Sequence, residues 1–250
     1  MSEQILIDRA DGYAVVTMNK PERRNALGTD SMAALLAALT DLSRDPKCRA
    51  VVLTGAAPAF CAGSDLKELG GLSIEDMRDH EAQTARIARQ IGLLPMPVIA
   101  AVEGYALGGG FILATSCDIV VSGKGAKWNM PEVRNGWIPP WGLHSLLART
   151  GAAAARLITW GVMEIDGDEA LRLGVADTVA DDGGVLEAAC VIAARLAALP
   201  ANAVVSTKRF FEAAALGDAE RQDAETSRLF GQDCNGDDAK AVLAKFTVTK

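Results

Sequence analysis

Apolar residues recur along this chain at two spacings, and their alternation outlines the fold. Residues 5–8 and 13–19 are strand-length segments on either side of Asp11-Gly12, a hairpin signal. Met32, Leu35, Leu36, Leu39 and Leu42 then recur at helical spacing behind a cap at Thr29 or Asp30. Residues 50–53 read as a short buried strand. Residues 60–69 (FCAGSDLKEL) form a glycine turn running into a helix start, and Ser73 caps a polar helix to about Gly92. A fully apolar run at 98–102 follows Pro95 and Pro97 and turns through Gly104 into Gly108, Gly109 and Gly110. An apolar helical segment at 111–117 and a strand at 118–122 come next.

The second half is increasingly helical. Residues 128–147 are a proline- and glycine-rich connection entering a helix. Helices at 152–160 and 168–173 close at Gly161 and Gly174, and a strand at 175–179 follows. From about Gly183 only helical spacing remains, broken at Pro200. Strand–helix alternation followed by helices alone predicts an α/β core with a helical C-terminal subdomain, divided as 1–190 and 191–250.

Composition narrows the class. With 250 residues, half of them hydrophobic, the chain can bury a sizeable core. Its 25 basic and 32 acidic residues give a net charge of −7 without any basic run, which argues against nucleic acid or anionic membrane as partners. No leader is expected, and the apolar stretch around 93–121 is broken by Glu103, glycines and Asp118, so no membrane span is expected either. Five scattered cysteines and two histidines suggest neither a disulfide framework nor a metal site, and the expected setting is a reducing cytoplasm.

Chemistry centres on the two glycine turns. A phosphate loop needs Lys-Ser/Thr after its glycines, whereas Phe111 and Ile112 follow Gly110; the dinucleotide spacing is also absent. The glycines have a purely structural reading, tight packing of helix on strand. Together, however, two such turns can each aim one N–H at a single oxygen, an arrangement worth roughly 3–4 kcal/mol per donor to an oxyanion.

Residues 60–66 (FCAGSDL), 104–110 (GYALGGG) and Cys117-Asp118-Ile119 resemble the enoyl-CoA hydratase/isomerase (crotonase) superfamily. Pro21, residues 25–27, Pro131-Glu132 and residues 170–179 extend the resemblance over nearly the whole chain. It implies a spiral of ββα turns with C-terminal helices that build a homotrimer or a dimer of trimers. It also implies an acyl-CoA substrate whose thioester oxygen lies between the N–H groups of Ser64 and Gly109. Coenzyme A enters as part of the substrate, with no separate cofactor and no metal. The substrate would be bordered by Arg24, Ala26, Ala62, Asp65, Leu66, Gly108, Ile112 and Trp141, with Arg23, Arg24 and Lys67 near the phosphates.

Hydratases of the superfamily use two glutamates around a water. The second corresponds to Glu132; the first falls on Ile112. Pro140 also replaces a glycine whose N–H helps hold that water, and bulky Trp141 follows it. The favoured expectation is therefore double-bond isomerisation of an enoyl-CoA with Glu132 as the proton shuttle. Hydration or lyase chemistry with a non-standard second acid, for instance from residues 68–81, and a non-catalytic acyl-CoA binder remain as alternatives. His144 and Ser145, Cys61 and Cys117 read as packing residues. Trp128, Trp137 and Trp141 read as core, or as the wall of an acyl pocket.

Overall fold

The computed structural model describes residues 4–246. Strands β1 (Ile5–Arg9) and β2 (Tyr13–Met18) pair antiparallel around the turn, with Gly12 at φ +81°. Helix α1 (Thr29–Arg44) buries Met32, Leu35, Leu39 and Leu42; its cap is Gly28, one position before the expected residues. Strand β3 (Ala50–Gly55) is followed by the one-turn α2 (Leu66–Leu69) and by α3 (Ile74–Leu93), which Ser73 caps through Asp76 N. Then come β4 (Val98–Val102), β5 (Tyr105–Leu107), α4 (Gly109–Thr115), β6 (Ile119–Gly123) and β7 (Lys127–Asn129). The chain continues through α5 (Leu143–Thr159), α6 (Gly167–Arg172), β8 (Thr178–Ala180) and four helices. These are α7 (Val185–Ala198), α8 (Ala201–Leu216), α9 (Ala219–Asp233) and α10 (Asp237–Leu243).

The six-stranded sheet runs β1-β2-β3-β4-β6-β8, parallel from β2 onward. Its central strands are covered on both faces, which is why β3 and β4 read as unbroken apolar runs. On one face Val51, Leu53, Val98 and Ala100 join the main core beneath α1 and α4. On the other, Val52, Ile99 and Val121 meet Ala189 and Ala193 of α7. A small second sheet pairs β5 with β7 in parallel. The expected α/β architecture is what the chain adopts.

Local expectations shift in three places. The strand β7 is three residues long, too short to show a period, and overlaps the start of the stretch expected to be a connection. The helix entered at the end of the 128–147 connection and the helix expected at 152–160 are continuous as α5 except at Gly151, whose φ of +73° and ψ of +163° break the helical path. The division at residue 190 falls inside α7, which packs its small-residue face on the sheet along its whole length. Only from Ala201 do the helices leave the sheet. There α8 is tied back by Lys208, whose buried Nζ donates to Ile91 O, Met96 O and Asp118 Oδ2 at 2.8, 2.9 and 2.8 Å. Among the described residues, no single helix is long and apolar enough to cross a membrane.

Candidate active site

Five segments of the chain meet around one small cavity of about 60 Å³. The turn before α2 contributes Ala62, Gly63, Ser64 and Leu66. The turn before α4 contributes Gly108 and Gly109. The β7–α5 connection supplies Pro131, Glu132, Asn135, Trp137 and Pro140. Helix α3 adds Met77 and Glu81, and the C-terminal helices close the cavity with Phe230 and Leu243.

The two turns approach closely, and their glycines explain how. A Cβ on Gly63, at φ +85°, would lie 3.1 Å from Gly109 N and 2.7 Å from Leu107 O; a Cβ on Gly110 would lie 2.3 Å from Cys61 O. The first turn is pinned to the chain before α1. Leu27 donates to Gly63 O and accepts from Asp65 N, at 2.8 and 3.0 Å, so the Ser64 N–H between them stays out of the bridge. Gly109 opens α4, ahead of the first intrahelical bond from Ile112 N to Gly108 O. Its N–H therefore has no partner within the helix. Two N–H groups without a partner among the described residues, with the positive end of a helix behind one of them, are chemically suited to an oxyanion.

Glu132 stands against the second turn. Its Oε1 is 2.5 Å from where a Cβ on Gly108 would be, and its buried Oε2 makes no hydrogen bond among the described residues. Burial raises its carboxyl to about 7, and the charge of Glu81 adds to the effect. A carboxyl balanced near neutrality can give or take a proton.

The second carboxylate of the cavity is Glu81. It is 2% exposed and accepts the Trp141 indole N–H at 2.6 Å. In the sequence it falls at the end of the 68–81 region. The sharper signal was its register: Met77, Glu81, Ala85 and Ala88 lie on the buried face of α3, where an acid is expensive to bury without a task.

The expected site residues divide accordingly. Ser64, Gly108, Gly109, Glu132, Ala62 and Leu66 line the cavity; Arg24, Ala26, Asp65, Ile112 and Trp141 do not. Ile112 packs on Gly142, where a Cβ would come within 2.1 Å of its Cγ2. Trp141 packs its ring over Gly109, with Cζ2 3.1 Å from a Cβ there. Arg24 lies over the Tyr105 ring at 5.2 Å, and Asp65 caps α2 through Lys67 N while pairing with Lys20 and Arg23. Of the other tryptophans, Trp137 lines the cavity edge-on to Phe230. Trp128 is core, packed on Phe111 and donating to Ser122 Oγ. His144 is buried 3.6 Å from Asp223, and Ser145 bonds to Gly142 O and Thr115, so neither takes part in the site. Among the described residues no His/Cys/Asp/Glu cluster suits a metal.

The enoyl-CoA hydratase/isomerase family model matches residues 8–249. The chain belongs to this family. The family's short-chain-enoyl-CoA hydratase of Clostridium acetobutylicum is 31% identical over 97% of this chain and 94% of its own length. The crotonyl-CoA hydratase of Syntrophomonas wolfei is 33% identical over 78% of this chain and 75% of its own. Among solved structures, an enoyl-CoA hydratase/isomerase from Mycobacterium paratuberculosis superposes with a TM-score of 0.88 at 28% identity. That match covers 98% of this chain and 99% of the other. Family membership thus agrees with the paired glycine turns and with Glu132 beside them.

Proposed function

We propose that this chain acts on an enoyl thioester of coenzyme A, moving a proton at Cα through Glu132. The N–H groups of Ser64 and Gly109 hold the thioester oxygen as it becomes an enolate. The observation that carries this reading is the placement of Glu132, with an unbonded carboxyl oxygen, beside both oxyanion turns. A carboxyl at about 7 is protonated in a substantial fraction of molecules at neutral pH, as donation to Cα requires.

Hydration of the double bond is the reaction we favour. Relatives over most of the chain are named as hydratases, and the cavity contains a second carboxylate. A shift of the double bond from C3 to C2, using Glu132 alone, is the second reading. It is favoured by Ile112 at the position of the family's first glutamate and by Pro140, which has no N–H to hold a water. Incubating crotonyl-CoA with the protein in ¹⁸O-labelled water tests the choice. Hydration gives labelled 3-hydroxybutyryl-CoA. Absence of that product, with conversion of a 3-enoyl-CoA to its 2-enoyl isomer, selects the shift.

Assembly into trimers belongs to the same proposal. Phe210 and Phe211 on α8, with Trp160 and Val162 after α5, leave large apolar surface exposed, as expected of a face covered by another copy.

A further inference from the structure

We propose that Glu81 is the base that takes a proton from the attacking water, and that Trp141 is its positioning residue. This rests on the hydration reading and identifies the second acid that the family's usual position lacks.

Four observations converge on Glu81. It lines the same cavity as Ser64, Gly109 and Glu132. It is nearly inaccessible, on the buried face of α3, and among the described residues no lysine or arginine pairs with it. Its Oε2 is fixed by the Trp141 N–H at 2.6 Å, while Oε1 faces His80 Nδ1 at 3.8 Å, longer than a hydrogen bond but close enough that Glu81 holds the His80 imidazole toward its charged form. Finally, the tryptophan that fixes it also packs over Gly109, so one side chain sets the base relative to the oxyanion turn.

The two acids have opposite surroundings, and these suit opposite tasks. Glu81 has a donor aimed at one oxygen, which leaves it an acceptor; Glu132 has an oxygen with no donor and is raised toward neutrality by burial. A cavity of 60 Å³ has room for a few waters between them. In the step, the Glu81 carboxylate takes one proton from water while the water oxygen bonds to Cβ. The π pair of the double bond moves to the thioester oxygen as an enolate held by Ser64 and Gly109. The enolate then takes the proton of Glu132 at Cα. The product is the 3-hydroxyacyl thioester, and the proton left on Glu81 returns to Glu132 through solvent.

The test separates water activation from chemistry at Cα. Hydration of crotonyl-CoA and exchange of C2 protons of butyryl-CoA with deuterium oxide are measured for wild type, Glu81→Gln, Trp141→Phe and Glu132→Gln. Glu81→Gln is expected to lose hydration by roughly 10²–10⁴-fold, the contribution of a general base, and to keep C2 exchange. Trp141→Phe, which lacks only the indole N–H and part of the ring, is expected to lower kcat for hydration about tenfold with KM little changed. Hydration by Glu81→Gln within threefold of wild type overturns the proposal. Loss of both reactions, in either a folded or an unfolded Glu81→Gln protein, overturns it too unless Trp141→Phe shows the split between hydration and exchange. Persistence of C2 exchange in Glu132→Gln would instead defeat the assignment of Glu132, leaving the result for Glu81 separately readable.

Discussion

Oε1 of Glu132 occupies the space that a side chain on Gly108 would need, 2.5 Å from the position of its Cβ. Gly108 is also at φ +51° with ψ −121°, a conformation that L side chains rarely adopt. Gly108→Ala therefore meets strain and displacement of the Glu132 carboxyl together. We expect a loss of about 1–3 kcal/mol in stability and at least a hundredfold in kcat, measured by denaturant unfolding and steady-state turnover. Unchanged turnover would mean that the position of Glu132 is immaterial.

Titration of Glu132 gives a pH dependence with a definite sign. Its folded value of about 7 lies above the ordinary 4.5, so the folded protein binds more protons than the unfolded chain between these values. The stability contribution is fully present below pH 4.5 and is lost as pH rises through 7. The loss is on the order of 3 kcal/mol. Glu132→Gln should flatten this part of the stability profile, seen as a smaller Tm difference between pH 5.5 and pH 8. If protonated Glu132 is the donor to Cα, kcat/KM for hydration should also fall above about pH 7.

Lys208 offers a prediction remote from the chemistry. Its side chain is 4% exposed, and its ammonium supplies the charge that opposes the push of burial on Asp118 toward its neutral form. Lys208→Met leaves Asp118 without its cation and removes the ammonium donor from Ile91 O and Met96 O, which should cost about 3–5 kcal/mol. Urea unfolding measures this, and the folded fraction should retain its kcat.

Cavity size should set acyl preference. Phe230 is 4% exposed and closes the cavity beside Trp137, with ring centroids 6.3 Å apart at 90°. Phe230→Ala should raise the kcat/KM ratio of longer over C4 enoyl-CoA substrates, at a stability cost of about 3–4 kcal/mol. An unchanged ratio would place the acyl chain elsewhere.

The architecture was legible in the sequence because its signals are local. Unbroken apolar runs marked β3 and β4, Asp11-Gly12 marked the hairpin, and Pro200 marked the break between α7 and α8. Both glycine turns and Glu132 were legible as motifs, since glycine spacing and the Pro131-Glu132 pair survive in one dimension, and the fold brings all three to one cavity. Glu81 was legible only as the end of the 68–81 region, because its place depends on packing between α3 and the segment bearing Trp141, 60 residues away. Ile112 was read one step too far. Its place in the motif suggested contact with substrate, but the αL turn at Gly142 brings the start of α5 against it. Likewise, the edge of the core at residue 190 follows from the loss of strand spacing after Gly183, whereas α7 itself packs on the sheet.

The central claim is that Glu132 moves a proton at Cα of a thioester held by Ser64 and Gly109. The most direct measurement is exchange of the C2 protons of butyryl-CoA in deuterium oxide, wild type against Glu132→Gln, with acyl-CoA binding followed in parallel. The account predicts steady exchange by the wild type and its loss, by at least a hundredfold, in a variant that still binds the thioester. Exchange by Glu132→Gln at the wild-type rate would contradict it.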